Sequence, residues 1–129
     1  MAIIFQYRIY RVDLELNPDV YYCFGDNDMR VGMGGQAKEC RGERNAIGIR
    51  TKKTPGEDEA AYYTDEELED NLKKISGDFA AVLDLLIAKK VVVFPTEGFG
   101  TGFAELKTRA PRTLKFIETT VETLVRDYG

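Results

Sequence analysis

Two periods of apolar positions alternate along the chain. "IIFQYRIYRV" (3–12) alternates around Tyr7-Arg8-Ile9-Tyr10, which predicts an edge or half-buried strand. "VYYCF" (20–24) follows the turn signal Asn17-Pro18-Asp19 and is apolar or aromatic throughout, as a buried strand is. "NAIGIR" (45–50) and "VVVF" (91–94) read as further strands, and "GQAKECRG" as a short helix. Helical spacing takes over at Leu68, Leu72, Ile75, Phe79, Val82, Leu83 and Leu86. Thr64 and Glu67 have the spacing of a capping box, with Tyr63 and Leu68 placed as a hydrophobic staple. Gly77 interrupts this helix at a cost of about 1 kcal/mol relative to Ala, which marks a possible kink or break. Lys89 and Lys90 suit the C-terminal end of its dipole. A last helix is expected from about Thr108, with Pro111 in its first turn and Ala110, Leu114, Ile117, Val121, Leu124 and Val125 on one face.

Strands alternating with helices predict an α/β sandwich around a mixed, mostly parallel sheet. No repeat, low-complexity tract or linker divides residues 1–129, so the chain reads as a single domain. In parallel sheets ligands sit beyond the carboxyl ends of the strands. Two glycine clusters fall there: "GDNDMRVGMGGQA" (25–37) and "EGFGTGFAEL" (97–106). Each runs from a buried strand through glycines toward a helix, an order that exposes main-chain N–H groups to an anion. Neither fits GxxxxGK[ST] or GxGxxG. Alternating glycines after a buried strand point to a close approach of the backbone to something, or to tight turns alone.

Composition narrows the chemistry. The chain has no histidine, which excludes His-based triads, His general bases and nearly all catalytic zinc sites. A net charge of −4, with both signs dispersed, argues against an extended nucleic-acid surface. No apolar run reaches the roughly 20 residues that span a bilayer, and the N-terminus does not read as a secretory signal, so no membrane association is expected. Cys23 and Cys40 lack metal-binding spacing and suit free thiols in the cytoplasm. Nothing in the pattern calls for a cofactor.

Several polar and aromatic residues cluster at the expected strand ends. Asp26 and Asn27 either bind ribose hydroxyls or a water, or form an Asx-turn. Lys52 and Lys53 end the third strand, as site residues or as solvated lysines. Glu97 and Glu105 flank the second glycine loop, and Phe99 and Phe103 alternate with its glycines, where a ring stacks on a base or ribose or fills the core.

The segments "CFGDNDMRVGMGGQAKECRG", "AIGIRTKKTP" and "VVFPTEGFGTGFAEL" resemble, in order and spacing, the macrodomain superfamily. The resemblance covers about residues 20–125 and is nearest the branch with the terminal ADP-ribose–glutamate hydrolase and the DNA-ADP-ribose antitoxins. The chain is also similar to a small domain of phages and bacteria. The resemblance implies a three-layer α/β/α fold that binds ADP-ribose, or ADP-ribosylated protein or nucleic acid. It implies Asn27 on the distal ribose and Gly32, Gly34, Gly35, Gln36 and Ala37 at phosphate. It further implies Gly98, Phe99, Gly100, Thr101, Gly102 and Phe103 as a second phosphate loop. In the lysine-dependent hydrolases a lysine attacks the sugar C1″, and Lys52 matches it. The assisting acid's position holds Ala104, with Glu105 one residue later. An ADP-ribosyl hydrolase and a non-catalytic reader or sponge therefore both follow as expectations. "GFGTGFAEL" also resembles the GGxGTxxE loop of nucleoside-monophosphate phosphoribohydrolases, with three residues instead of two between Thr101 and Glu105.

Overall fold

A computed structural model of the chain describes residues 2–129. In order it contains β1 (Ile3–Gln6), α1 (Arg11–Leu16), β2 (Val20–Asn27), α2 (Ala37–Cys40), β3 (Ala46–Lys52), α3 (Leu68–Ile87), β4 (Val91–Pro95), α4 (Leu106–Arg109) and α5 (Pro111–Tyr128). Single 3₁₀ turns at Glu59–Ala61 and Asp65–Glu67 lie between β3 and α3.

The strands form one sheet in the order β1-β4-β2-β3, and every neighbouring pair is parallel. The mixed character expected of the sheet reduces to one antiparallel bridge, Lys52 to Tyr62. Alternating side chains divide the core into two layers, as the period of a strand requires. Cys23, Ile49, Val92 and Phe94 pack with residues of α3 and α5. Tyr22, Phe24 and Val93 pack with Leu14, Ala37 and Cys40 of α1 and α2. The molecule is thus an α/β sandwich of three layers.

The alternation at residues 7–10 does not extend β1. The Asp13 carboxylate accepts the Tyr10 N–H at 2.9 Å, and the Asp13 N–H donates to the Tyr10 carbonyl at 2.9 Å, which turns the chain into α1. A carboxylate in the first turn also suits the helix dipole. Buried Asn45 secures the other end, its Nδ2 donating to the carbonyls of Leu14, Asn17 and Val20 at 2.8–3.1 Å.

Thr64 and Glu67 do not form the expected capping box. Their side-chain oxygens lie 3.4 Å apart, and Glu67 pairs instead with Lys53 at 2.7 Å. Neighbouring Asp65 caps a different helix, accepting the N–H groups of Arg112 and Thr113 at the start of α5 at 2.8 and 3.1 Å. The last helix is two pieces. The chain breaks at Ala110 (φ −149°, ψ 64°), and Pro111 opens α5, where its missing N–H costs nothing. Leu83 is exposed rather than in the core, and the inward face of α3 carries two polar residues that periodicity missed, Asn71 and Asp78.

Helix α3 runs unbroken through Gly77. A Cβ there would meet nothing nearer than Arg50 Nη2 at 4.0 Å. Gly77→Ala is therefore expected to stabilise the protein by about 0.5–1 kcal/mol, read as a rise in the urea midpoint at unchanged slope.

Both cysteines are free and buried. Burial pushes the Cys40 thiol up to about 12 and raises that of Cys23 as well. Burial and then the Asp28 carboxylate raise the Tyr63 phenol. Each group keeps its proton in the fold at a pH where the unfolded chain has lost it. Its contribution is complete below the unfolded values of 9.0 (Cys) and 10.0 (Tyr) and is lost as pH rises through the higher folded ones. The urea midpoint should fall between about pH 8 and about pH 10.5, and a flat profile would contradict this burial.

Candidate functional site

The four strands end on the same side of the sheet, and the segments that follow them enclose one cleft of about 930 Å³. Tyr7 and Arg8 follow β1, residues 31–37 lie beyond β2, Pro55 and Glu57 follow β3, and residues 97–105 follow β4. The candidate residues read from the sequence border this cleft, except Lys53, which pairs with Glu67 instead; the two glycine loops thus face a common space.

Among the described residues, the main-chain N–H groups of 31–36 find no protein acceptor, and neither do those of 99–104. Both runs border the cleft. Successive unpaired amides in turns make an anion-binding concavity, because partial positive charges converge where no carbonyl competes. The glycines of the second run have different reasons. Gly100 has φ 75°, and a Cβ on it would lie 2.7 Å from Cγ of buried Leu106. Gly102 has no left-handed φ, and a Cβ there would meet nothing within 4 Å. The fold itself does not require a glycine at 102.

The polar candidates are largely engaged with the protein. Asp26 is buried, pairing with Arg41 at 2.6 Å and Arg30 at 3.1 Å and accepting the Asn27 N–H at 2.8 Å. Its carboxylate is thus a structural anchor and not a free ribose acceptor. Asn27 closes the turn that follows it: Oδ1 accepts the Met29 N–H at 3.0 Å, and Nδ2 donates to the Val31 carbonyl at 2.7 Å. One donor and one lone pair of this amide remain over. Gln36 spends its side chain on Ile9, donating to its carbonyl and accepting its N–H, each at 3.1 Å. That clip holds residues 7–10 as a wall of the cleft. Ala37 opens α2 and is buried in the core.

Lys52 is buried at the end of β3, where Nζ donates to the Gly56 carbonyl at 2.7 Å and lies 4.6 Å from the centre of the Tyr62 ring. The Arg109 guanidinium stacks on the same ring at 3.6 Å. Arg109 also pairs with Glu59 at 3.0 Å and Glu105 at 3.3 Å. Glu105 has φ 50° and opens α4. Burial, and next the Glu105 carboxylate, raise the Tyr62 phenol. The aromatic residues of the second loop divide their roles. Phe99 is buried edge-on against Phe79 and Phe94, so its ring is core rather than a stacking surface. Phe103 is 69% exposed, and its ring lies 3.6 Å from where a Cβ of Gly35 would sit, so it bridges the two loops.

Sequence reasoning missed Tyr7, Arg8, Arg41, Tyr62 and Arg109, all of which border the cleft. Arg41 lies just beyond the first glycine cluster, within the segment that resembles macrodomains. Tyr62 and Arg109 had no local signal, because the stacked pair forms only through tertiary packing. Among the described residues no group of His, Cys, Asp or Glu side chains is placed to hold a metal, and no helix is long and apolar enough to cross a membrane.

No curated protein and no solved structure matches the chain. One family model does, described as a family of unknown function (DUF7831), over residues 4–120. That span includes both glycine loops and nearly all of the sheet, and the chain belongs to the DUF7831 family.

Proposed function

We propose that the cleft binds ADP-ribose or a related ADP-ribosyl nucleotide, with the diphosphate held between the two amide runs. The observation that carries this reading is that two runs whose N–H groups find no acceptor among the described residues, 31–36 and 99–104, both line one cleft, Met33 alone excepted. A diphosphate carries oxygens on both sides and suits two such concavities. The cleft volume of about 930 Å³ is also that of a site for a ligand of nucleotide size. The resemblance to macrodomains supports the same ligand. Two free buried cysteines suit work in the cytoplasm.

Calorimetric titration with ADP-ribose tests this, with saturable one-site binding as the expected result. No heat at millimolar ligand would remove the reading.

Turnover is a second reading, favoured by the position of Lys52 and Glu105 near Tyr62 on the border of the cleft. Hydrolysis would break the bond between the sugar C1″ and its acceptor, water supplying the hydroxyl to the sugar and the proton to the acceptor. Free ADP-ribose released from an ADP-ribosylated peptide, and lost in Lys52→Ala, would establish it. Binding without release would leave a reader or sponge. Adenine and ribose 5-phosphate formed from AMP would instead indicate a phosphoribohydrolase.

A further inference from the structure

We propose that Arg41 is the positioning residue of the first amide run, setting the direction in which the peptides at 31–33 face; this rests on the nucleotide reading above. Arg41 caps α2, and its guanidinium reaches back under the loop. Nε donates to the Gly32 carbonyl at 2.6 Å, and Nη2 donates to the Val31 carbonyl at 3.2 Å. Nη2 also donates to Asp26 Oδ1 at 2.6 Å, and the guanidinium lies 5.5 Å from the centre of the Phe24 ring. A planar fork fixed by a buried carboxylate at its edge and a buried ring at its face does not follow a loop; the loop follows it.

Peptide geometry sets the neighbouring donors as well. No peptide bond here is cis, so a carbonyl drawn toward Arg41 turns the next N–H the opposite way. The N–H groups of Gly32 and Met33 therefore point away from the guanidinium, and neither has a protein acceptor among the described residues. Asn27 Nδ2 grips the Val31 carbonyl as well, at 2.7 Å, so that peptide is held by two donors. Arg41 shares the Asp26 carboxylate with Arg30, and the effect assigned to it is one of direction, which Arg41→Lys separates from charge. The second run is held differently, by the Thr101 hydroxyl on the Glu97 carbonyl at 3.1 Å. Losing Arg41 should disturb one run and spare the other.

The test follows amide resonances of the wild type, Arg41→Gln and Arg41→Lys during titration with inorganic pyrophosphate, with ADP-ribose affinity measured in parallel. In the wild type, resonances of residues 31–36 and 99–104 both shift. In both variants those of 99–104 still shift, those of 31–36 do not, and ADP-ribose binds about tenfold more weakly or worse. Arg41→Lys keeps the charge but cannot bond two carbonyls and Asp26 from one plane, so it behaves like Arg41→Gln. If Arg41→Gln does not fold, Arg41→Lys alone decides. Wild-type affinity in Arg41→Lys, or loss of both responses together, overturns the role of Arg41. Silence of both runs in the wild type overturns the nucleotide reading, and the role of Arg41 falls with it.

Discussion

Gly102→Val is expected to weaken ADP-ribose binding by more than about 100-fold, which corresponds to about 2.7 kcal/mol, while the thermal midpoint stays within about 2 °C of wild type. The fold asks little of this position. A Cβ at 102 meets nothing within 4 Å, and the backbone φ is one that any residue adopts. The protein therefore tolerates a side chain there. The space a valine would fill belongs to the cleft, beside the unpaired amides of residues 99–104. A branched side chain would hold a phosphate away from those donors. Gly100→Val should behave in the opposite way. Its φ of 75° strains any β-branched residue, and the added atoms run into buried Leu106, which begins α4. That variant should lose about 3 kcal/mol or more of stability, read by urea unfolding. If Gly102→Val binds normally, or if it fails to fold, the assignment of that glycine to a ligand is wrong.

The contrast between these glycines shows what a sequence can carry. Glycines placed after a buried strand announce that the backbone does something unusual, and the structure does put both clusters beside one cleft. Sequence cannot divide them into those the fold needs and those it does not, because that depends on Leu106 and on dihedral angles that no local pattern encodes. The strands β2, β3 and β4 and the two long helices were legible for a simpler reason: burial on both faces leaves a continuous apolar run, and burial on one stripe a helical period. Helix α1 was not, since "YRIYRV" alternates as a strand does while Asp13 and Asn45 supply the hydrogen bonds that hold Arg11–Leu16 as a helix. Phe99 and Phe103 read alike in sequence and differ in the fold, one in the core and one 69% exposed across the first loop. Polar candidates suffered most. Asp26, Asn27 and Gln36 do border the cleft, yet their side chains bond mainly to the protein, and the partners lie up to 27 residues away. Polar residues beside a site both form it and hold it in shape, and spacing does not separate the two tasks.

Asp78→Ala should be among the most damaging single changes outside the cleft, costing about 3 kcal/mol, or about 10 °C in thermal midpoint. Asp78 is 6% exposed on the inward face of α3. Its carboxylate accepts from Arg30 Nη2 at 2.7 Å, from Arg50 Nε and Nη2 at 3.1 Å, and from the Arg50 main-chain N–H at 2.8 Å. Burial alone disfavours the charge on Arg30, and the hydrogen bonds to Asp78 and Asp26 outweigh it, so the guanidinium is held charged. Removing the carboxylate leaves two cations without this partner and frees an N–H on the outer edge of β3, the last strand of the sheet. The arginine side chains are 42% and 25% exposed, so water recovers part of the loss, which places it at the low end for a broken buried pair. Arg30 also donates to Asp26 and to the Gly48 carbonyl, at 3.1 and 2.9 Å. The same carboxylate of Asp26 orients Arg41, so α3 reaches the first amide run through Asp78, Arg30, Asp26 and Arg41 in turn. Asp78→Asn retains an acceptor for the Arg50 N–H and should recover part of the stability. A midpoint for Asp78→Ala within about 2 °C of wild type would mean that this chain of charges holds nothing in place.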